Sequence, residues 1–149
     1  MFMTKKVVVS GQKDSRQLKV GDLEITDEFK TIDVESKGKE AAKKLMGIPR
    51  GVVLVIDKED KPAGVITARE FLIKIVNGEN PTNMAVNKIM NTNILHLRDD
   101  MLLDDAVPEV TTKDPYAVVV TDSTGKFKGY FSPMDYQEAL ARINYQRNA

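Results

Sequence analysis

Two short runs of the chain, Val52–Ile56 and Ala117–Thr121, are continuously apolar or β-branched, and each is followed at once by an aspartate. Runs of this kind predict strands buried on both faces. The segments Lys58-Glu59-Asp60-Lys61-Pro62 and Ser123-Thr124-Gly125-Lys126 come next and are polar turns. A second strand is predicted over Ala63–Ile66 in one case and over Lys128–Phe131 in the other. Thr67 and Ser132 then read as helix N-caps, with an acid at the third helical position of each and Pro133 at the first position of the second. The helix after Thr67 places Phe71, Leu72, Ile75 and Val76 on one face and stops at Asn77-Gly78. The helix after Ser132 places Tyr136, Leu140 and Ile143 on one face. Further helices are predicted over Lys39–Met46 and about Leu103–Val110.

These two sets of elements are one pattern used twice. Asp57 to Asp122, Gly64 to Gly129, Thr67 to Ser132 and Glu70 to Asp135 are each 65 residues apart, as are Ala41 and Ala106. Nearer the start, Val20-x-x-Leu23 matches Val86-x-x-Ile89 at an offset of 66. Self-similarity of this kind marks a tandem repeat. Each unit reads β-α-β-β-α, in an α+β fold class. The boundaries expected are an N-terminal arm over 1–19, a first unit over 20–78, a linker over 79–85 and a second unit over 86–149.

Charge and composition narrow the function. Twenty-two Lys and Arg balance 22 Asp and Glu, which argues against a nucleic-acid-binding core, because phosphate contacts need a cationic surplus. The balance is uneven along the chain: residues 1–19 hold five bases (Lys5, Lys6, Lys13, Arg16, Lys19) and one acid, Asp14. The remainder is correspondingly acidic, and the arm is a candidate docking segment for a partner or nucleic acid. With no Cys there is no disulfide, thiolate metal site or cysteine nucleophile, and a cytoplasmic setting is expected. MFMTKKVVVS lacks the long apolar stretch of a secretion signal, and nothing approaches a membrane span.

The motifs Gly64-Val65-Ile66-Thr67-Ala68-Arg69-Glu70 and Gly129-Tyr130-Phe131-Ser132-Pro133-Met134-Asp135, each after an apolar strand and a short turn, resemble the cystathionine-β-synthase (CBS) domain. Val86-Asn87-Lys88-Ile89-Met90 resembles the segment that opens such a domain. The resemblance spans roughly residues 18–146, and two copies in tandem resemble a Bateman module with pseudo-two-fold symmetry. It implies a regulatory protein, not an enzyme, that binds AMP, ADP, ATP or S-adenosylmethionine in clefts between the repeats, without a catalytic cofactor. It also implies a homodimer acting on an unknown regulated protein. Carried onto this chain, it assigns ribose to Asp135, ribose or phosphate to Ser132, and adenine to Ile94, Tyr116 and Ala117. The first repeat would offer Thr67, Glu70, Gly51, Val52 and Ile32.

Three departures from the family pattern bear on that expectation. Glu70 stands where aspartate is usual, which moves the carboxylate by more than about 1 Å. The places just before the strand read Gly51-Val52 and Tyr116-Ala117, with Arg50 the nearest cation, so a triphosphate would be poorly neutralised and a monophosphate, a nucleoside or S-adenosylmethionine is easier to accommodate. Pro108, inside a predicted helix, should delay, kink or break it. Plainer chemistry accounts for other features: Thr67-x-x-Glu70 and Ser132-x-x-Asp135 serve as capping boxes, and His96 has no second metal ligand near it. Met84, Met90, Met101 and Met134 suit irregular core gaps. The acids from Asp99 to Glu109 lack the glycine-centred spacing of a calcium loop and suit the first turns of a solvated helix. Ser10-Gly11-Gln12-Lys13 lacks the paired glycines of a phosphate loop. One His supports no nucleophile–base set. The alternative to a ligand sensor is a ligand-free dimerisation scaffold.

Overall fold

The structure, a computed structural model, describes residues 18–148. All but Leu18 and Lys19 of the basic arm, and the Ser10–Lys13 stretch, lie outside the described residues. The described residues divide into two compact units, one of residues 28–94 and one of residues 18–27 with 95–148.

The unit of residues 28–94 contains β1 (Phe29–Asp33), α1 (Gly38–Met46), β2 (Val52–Ile56), β3 (Pro62–Ile66) and α2 (Ala68–Val76). Its sheet runs β1-β2-β3, with β1 parallel and β3 antiparallel to β2. The β-branched run Val52–Ile56 takes the centre, where neighbours on both edges complete its backbone bonding. Val53, Val55 and Ile66 pack with Ile32, Ala41, Val86 and Ile89 in the core. Val86 and Ile89 come from the segment after α2, which returns to the far edge of the sheet. There Val65 and Asn91 exchange N–H···O bonds of 2.9 and 3.0 Å. Gly64 permits this approach, since a Cβ there would stand 2.6 Å from Met90 Sδ.

The other unit repeats the solution with β4 (Ile94–Arg98), α3 (Leu103–Lys113), β5 (Ala117–Thr121), β6 (Phe127–Tyr130) and α4 (Pro133–Asn148), in a sheet ordered β4-β5-β6. Here the returning segment is Leu18–Ile25, from the start of the first repeat. Tyr130 N–H donates to the Ile25 carbonyl at 2.8 Å, and Val20 N–H to that of Met101 at 2.8 Å. A Cβ on Gly129 would collide with the Ile25 carbonyl. Leu18, Val20, Leu23 and Ile25 join Leu97, Leu103, Val118, Val120 and Phe131 in the core. The opening segment of each repeat therefore packs on the sheet of the other repeat.

The predicted strands Val52–Ile56 and Ala117–Thr121 appear as expected, and the mixed α+β class holds. Two expectations are corrected. α3 runs unbroken through Pro108 to Lys113, three residues beyond the predicted end. Pro108 lies on the exposed side of the helix, so the carbonyl it leaves without an amide, that of Asp104, is not sealed in the core. Met134 is 59% exposed and fills no core gap, whereas Met84, Met90 and Met101 pack against the cores. The helical face predicted after Thr67 is largely uncovered: Leu72, Ile75 and Val76 are exposed, with Val76 at 83%.

The turn between the paired strands is also built twice. Asp57 Oδ1 accepts from the N–H groups of Glu59 and Lys61, and Asp122 Oδ1 from those of Thr124 and Lys126. Asp60 and Gly125, 65 apart, both take positive φ at the tip, at 65° and 90°. Bonds from the Thr124 hydroxyl and amide and the Lys126 amide hold Asp122 below its ordinary value of 3.8. A depressed carboxylate adds stability that is fully present above pH 3.8 and is lost as pH falls through the lower folded value. Asp122→Asn, whose amide oxygen can accept the same bonds, should flatten the stability profile below that pH. Thermal melts from acid to neutral pH check this, with an unchanged acid slope as the contrary result.

Candidate functional site

A cavity of about 370 Å³ opens in the unit that contains β4–β6. Four short pieces of chain build it: Val110, Thr111 and Asp114 from the end of α3, Tyr116, Ala117 and Val118 from the start of β5, Tyr130 and Phe131 from the end of β6, and Ser132, Pro133, Tyr136 and Gln137 from the start of α4. Its position follows from the β-α-β-β-α order, which brings the end of one helix and the start of the next to one edge of the sheet.

Ser132 and Asp135 form the capping box at the first turn of α4. The Ser132 N–H and hydroxyl both donate to Asp135 Oδ2, at 2.9 and 3.0 Å, and the Asp135 N–H returns a bond of 3.1 Å to Ser132 Oγ. Ser132 is 1% exposed, and Asp135, at 0%, lies behind the cavity wall rather than on it. In the other unit, Thr67 N–H and hydroxyl donate to Glu70 Oε1 at 2.7 and 2.8 Å, and Arg69 N–H donates to Thr67 Oγ1. Glu70 is also buried, and its Oε2 has no hydrogen-bond partner among the described residues.

Across the cavity, α3 ends on Asp114 in the left-handed conformation, with φ of 45°. The Thr111 hydroxyl donates to the Val107 carbonyl at 3.0 Å, so the Tyr136 hydroxyl donates its own proton to Thr111 Oγ1. That bond ties α3 to α4.

Of the site residues expected from sequence, the structure brings Tyr116, Ala117 and Ser132 to one cavity, with Asp135 bonded behind Ser132. Ile94 is a half-buried residue at the start of β4 and is not among those lining it. Ile32 lies in the core of the unit of residues 28–94, in register with Val55, and Val52 opens β2. Gly51 sits where a Cβ would collide with Ile48 and the Glu28 carbonyl. Thr111, Asp114, Tyr136 and Gln137 were not anticipated as cavity residues. Their only sequence signal is placement at the end of one predicted helix and the first turn of another. Among the described residues, no three His, Asp or Glu side chains gather as a metal site needs.

The capping role makes a direct prediction. Thr67→Ala should cost about 0.5–2 kcal/mol of stability. Ser132→Ala, which removes the hydroxyl donor to a fully buried carboxylate, should cost more, about 1–3 kcal/mol. Urea unfolding of both variants measures the difference, and equal or reversed costs would count against this ranking.

The CBS domain model matches the chain twice, at residues 20–77 and 86–142. An uncharacterized protein of Methanopyrus kandleri is 30% identical over 86 residues, which are 57% of this chain and 44% of the relative. The match thus spans less than half the length of that curated relative. Among solved structures, a CBS domain pair/ACT domain protein of Thermotoga maritima is similar with a TM-score of 0.66 and 18% identity, over 83% of this chain and 97% of that one. CBSX2, solved in complex with AMP, is similar with a TM-score of 0.67 and 21% identity, over 85% of this chain and 98% of that one. These likenesses carry the fold, and the two family matches cover most of the sequence. The chain belongs to the CBS domain family, as a tandem pair.

Proposed function

We propose that this CBS pair is a regulatory module that binds an adenosine-containing ligand in the cavity beside β5 and α4 and passes the bound state to a partner protein. The observation that carries the reading is the convergence of Tyr116, Ala117 and the Ser132–Asp135 pair on one cavity. The Tyr116 ring, about one-third exposed, offers a base a stacking face. A ribose diol can replace the Ser132 hydroxyl as donor to the Asp135 carboxylate. CBSX2 holds AMP on the same fold, which supports an adenosine-type ligand here. Thr67 and Glu70 in the first repeat are the corresponding second position. Binding that favours one arrangement of the module over another supplies the signal. No residue set with catalytic geometry enters this reading.

The exposed apolar face of α2 supports a homodimer, because Leu72, Ile75 and Val76 together leave a helix stripe in water. The same face is what favours the second reading, a dimerisation scaffold without ligand. No helix of the described residues is long and apolar enough to cross a membrane, and a cytoplasmic setting belongs to the proposal.

Calorimetry with AMP, ADP, ATP and S-adenosylmethionine tests the first reading. At least one should bind, should raise stability by about 2.7 kcal/mol at a hundred times its Kd, and should bind about tenfold more weakly to Tyr116→Ala. Heat with none of the four leaves the scaffold. Ile75→Asp should convert the dimer to monomer in sedimentation, and a monomeric wild type would overturn the dimer.

A further inference from the structure

Within the reading of this cavity as an adenosine-type site, on which the following rests, the formal charge on its wall is one-sided. Asp114 is the one charged residue among the described lining residues, and it is an acid. Its neighbour Lys113 is turned to Glu109, with Nζ 3.1 Å from Oε1. The Tyr136 proton is committed to Thr111, so its oxygen offers lone pairs. The Ser132 proton is committed to Asp135 Oδ2, behind the wall.

The start of α4 would ordinarily compensate, because free amides and the helix dipole favour anions there. Here they do so only in part. Pro133 at the first position has no N–H, and the Asp135 N–H is bonded to Ser132 Oγ. The opposite wall is the C-terminal end of α3, which carries the negative end of its own dipole beside Asp114. The α3 end therefore opposes an added anion, and the α4 start compensates only in part.

We propose that the cavity selects an uncharged or cationic adenosine derivative and rejects the phosphorylated forms. The ligand class is a nucleoside whose 5′ position bears a hydroxyl, an amine or a sulfonium, with Asp114 as the residue that sets the preference. A dianionic 5′-phosphate would meet the Asp114 carboxylate and no Lys or Arg side chain among the described lining residues.

Titration of the full chain with adenosine, 5′-amino-5′-deoxyadenosine and AMP tests this. Adenosine and the amine should bind at least about tenfold more tightly than AMP at low salt, and the amine alone should weaken as salt rises. Asp114→Asn, which tolerates the left-handed conformation, should narrow the gap between AMP and adenosine severalfold. AMP binding more tightly than adenosine, or a ratio unchanged in Asp114→Asn, overturns the selectivity while leaving the adenosine-site reading intact. Heat with none of the three overturns that reading and the selectivity with it.

Discussion

The central strand of each sheet is buried along nearly its whole length, and every other part of the fold answers that constraint. Val53, Leu54 and Val55 are fully buried in β2, as are Val119 and Val120 in β5. A strand so placed must have both backbone edges paired and both faces covered. Strands of four or five residues and helices of 9–16 residues supply part of the cover. The remainder comes from segments distant in sequence, Leu18–Ile25 for one sheet and Val86–Asn91 for the other. Each reaches the outer strand beside a glycine, Gly129 or Gly64, because the incoming segment, the Ile25 carbonyl in one case and the Met90 side chain in the other, occupies the space of a Cβ. That shared need explains why these two glycines recur at the repeat offset.

What could be read in the sequence was what local chemistry determines. An Asx turn, a hydroxyl cap and an acid three residues later each work within a handful of residues, so Asp57, Thr67 and Glu70 and their counterparts announced themselves. The exchange of opening segments could not be read, since a hydrogen bond from Tyr130 to Ile25 spans more than 100 residues and leaves no periodic trace. The tolerance of α3 for Pro108 was equally out of reach. It depends on which side of the helix faces solvent, and that is set by packing rather than by propensity.

The cavity divides the same way. Tyr116, Ala117 and Ser132 could be named because they flank the motif itself. Thr111, Asp114 and Tyr136 join them only because α3 and α4 lie side by side, a tertiary fact that spacing does not carry. The Met134 side chain illustrates the converse. Apolar and close to the motif, it suits a core by composition, yet it stands in solvent on the first turn of α4.

The two repeats finally bear on how a carboxylate at the motif acid should be interpreted. Glu70 Oε1 receives its bonds from Thr67 at 2.7 and 2.8 Å, and Asp135 Oδ2 receives the same pair from Ser132 at 2.9 and 3.0 Å. The extra methylene of Glu70 is absorbed without losing either bond, so capping alone is satisfied equally by both acids. The acid therefore does not distinguish a binding repeat from a structural one, and its surroundings must. Gly51 and Tyr116 occupy equivalent positions ahead of the central strands. Ile48 and the Glu28 carbonyl leave no room for a side chain at Gly51, whereas the Tyr116 ring lines an open cavity. The asymmetry that matters for a ligand lies in that position more than in the exchange of glutamate for aspartate.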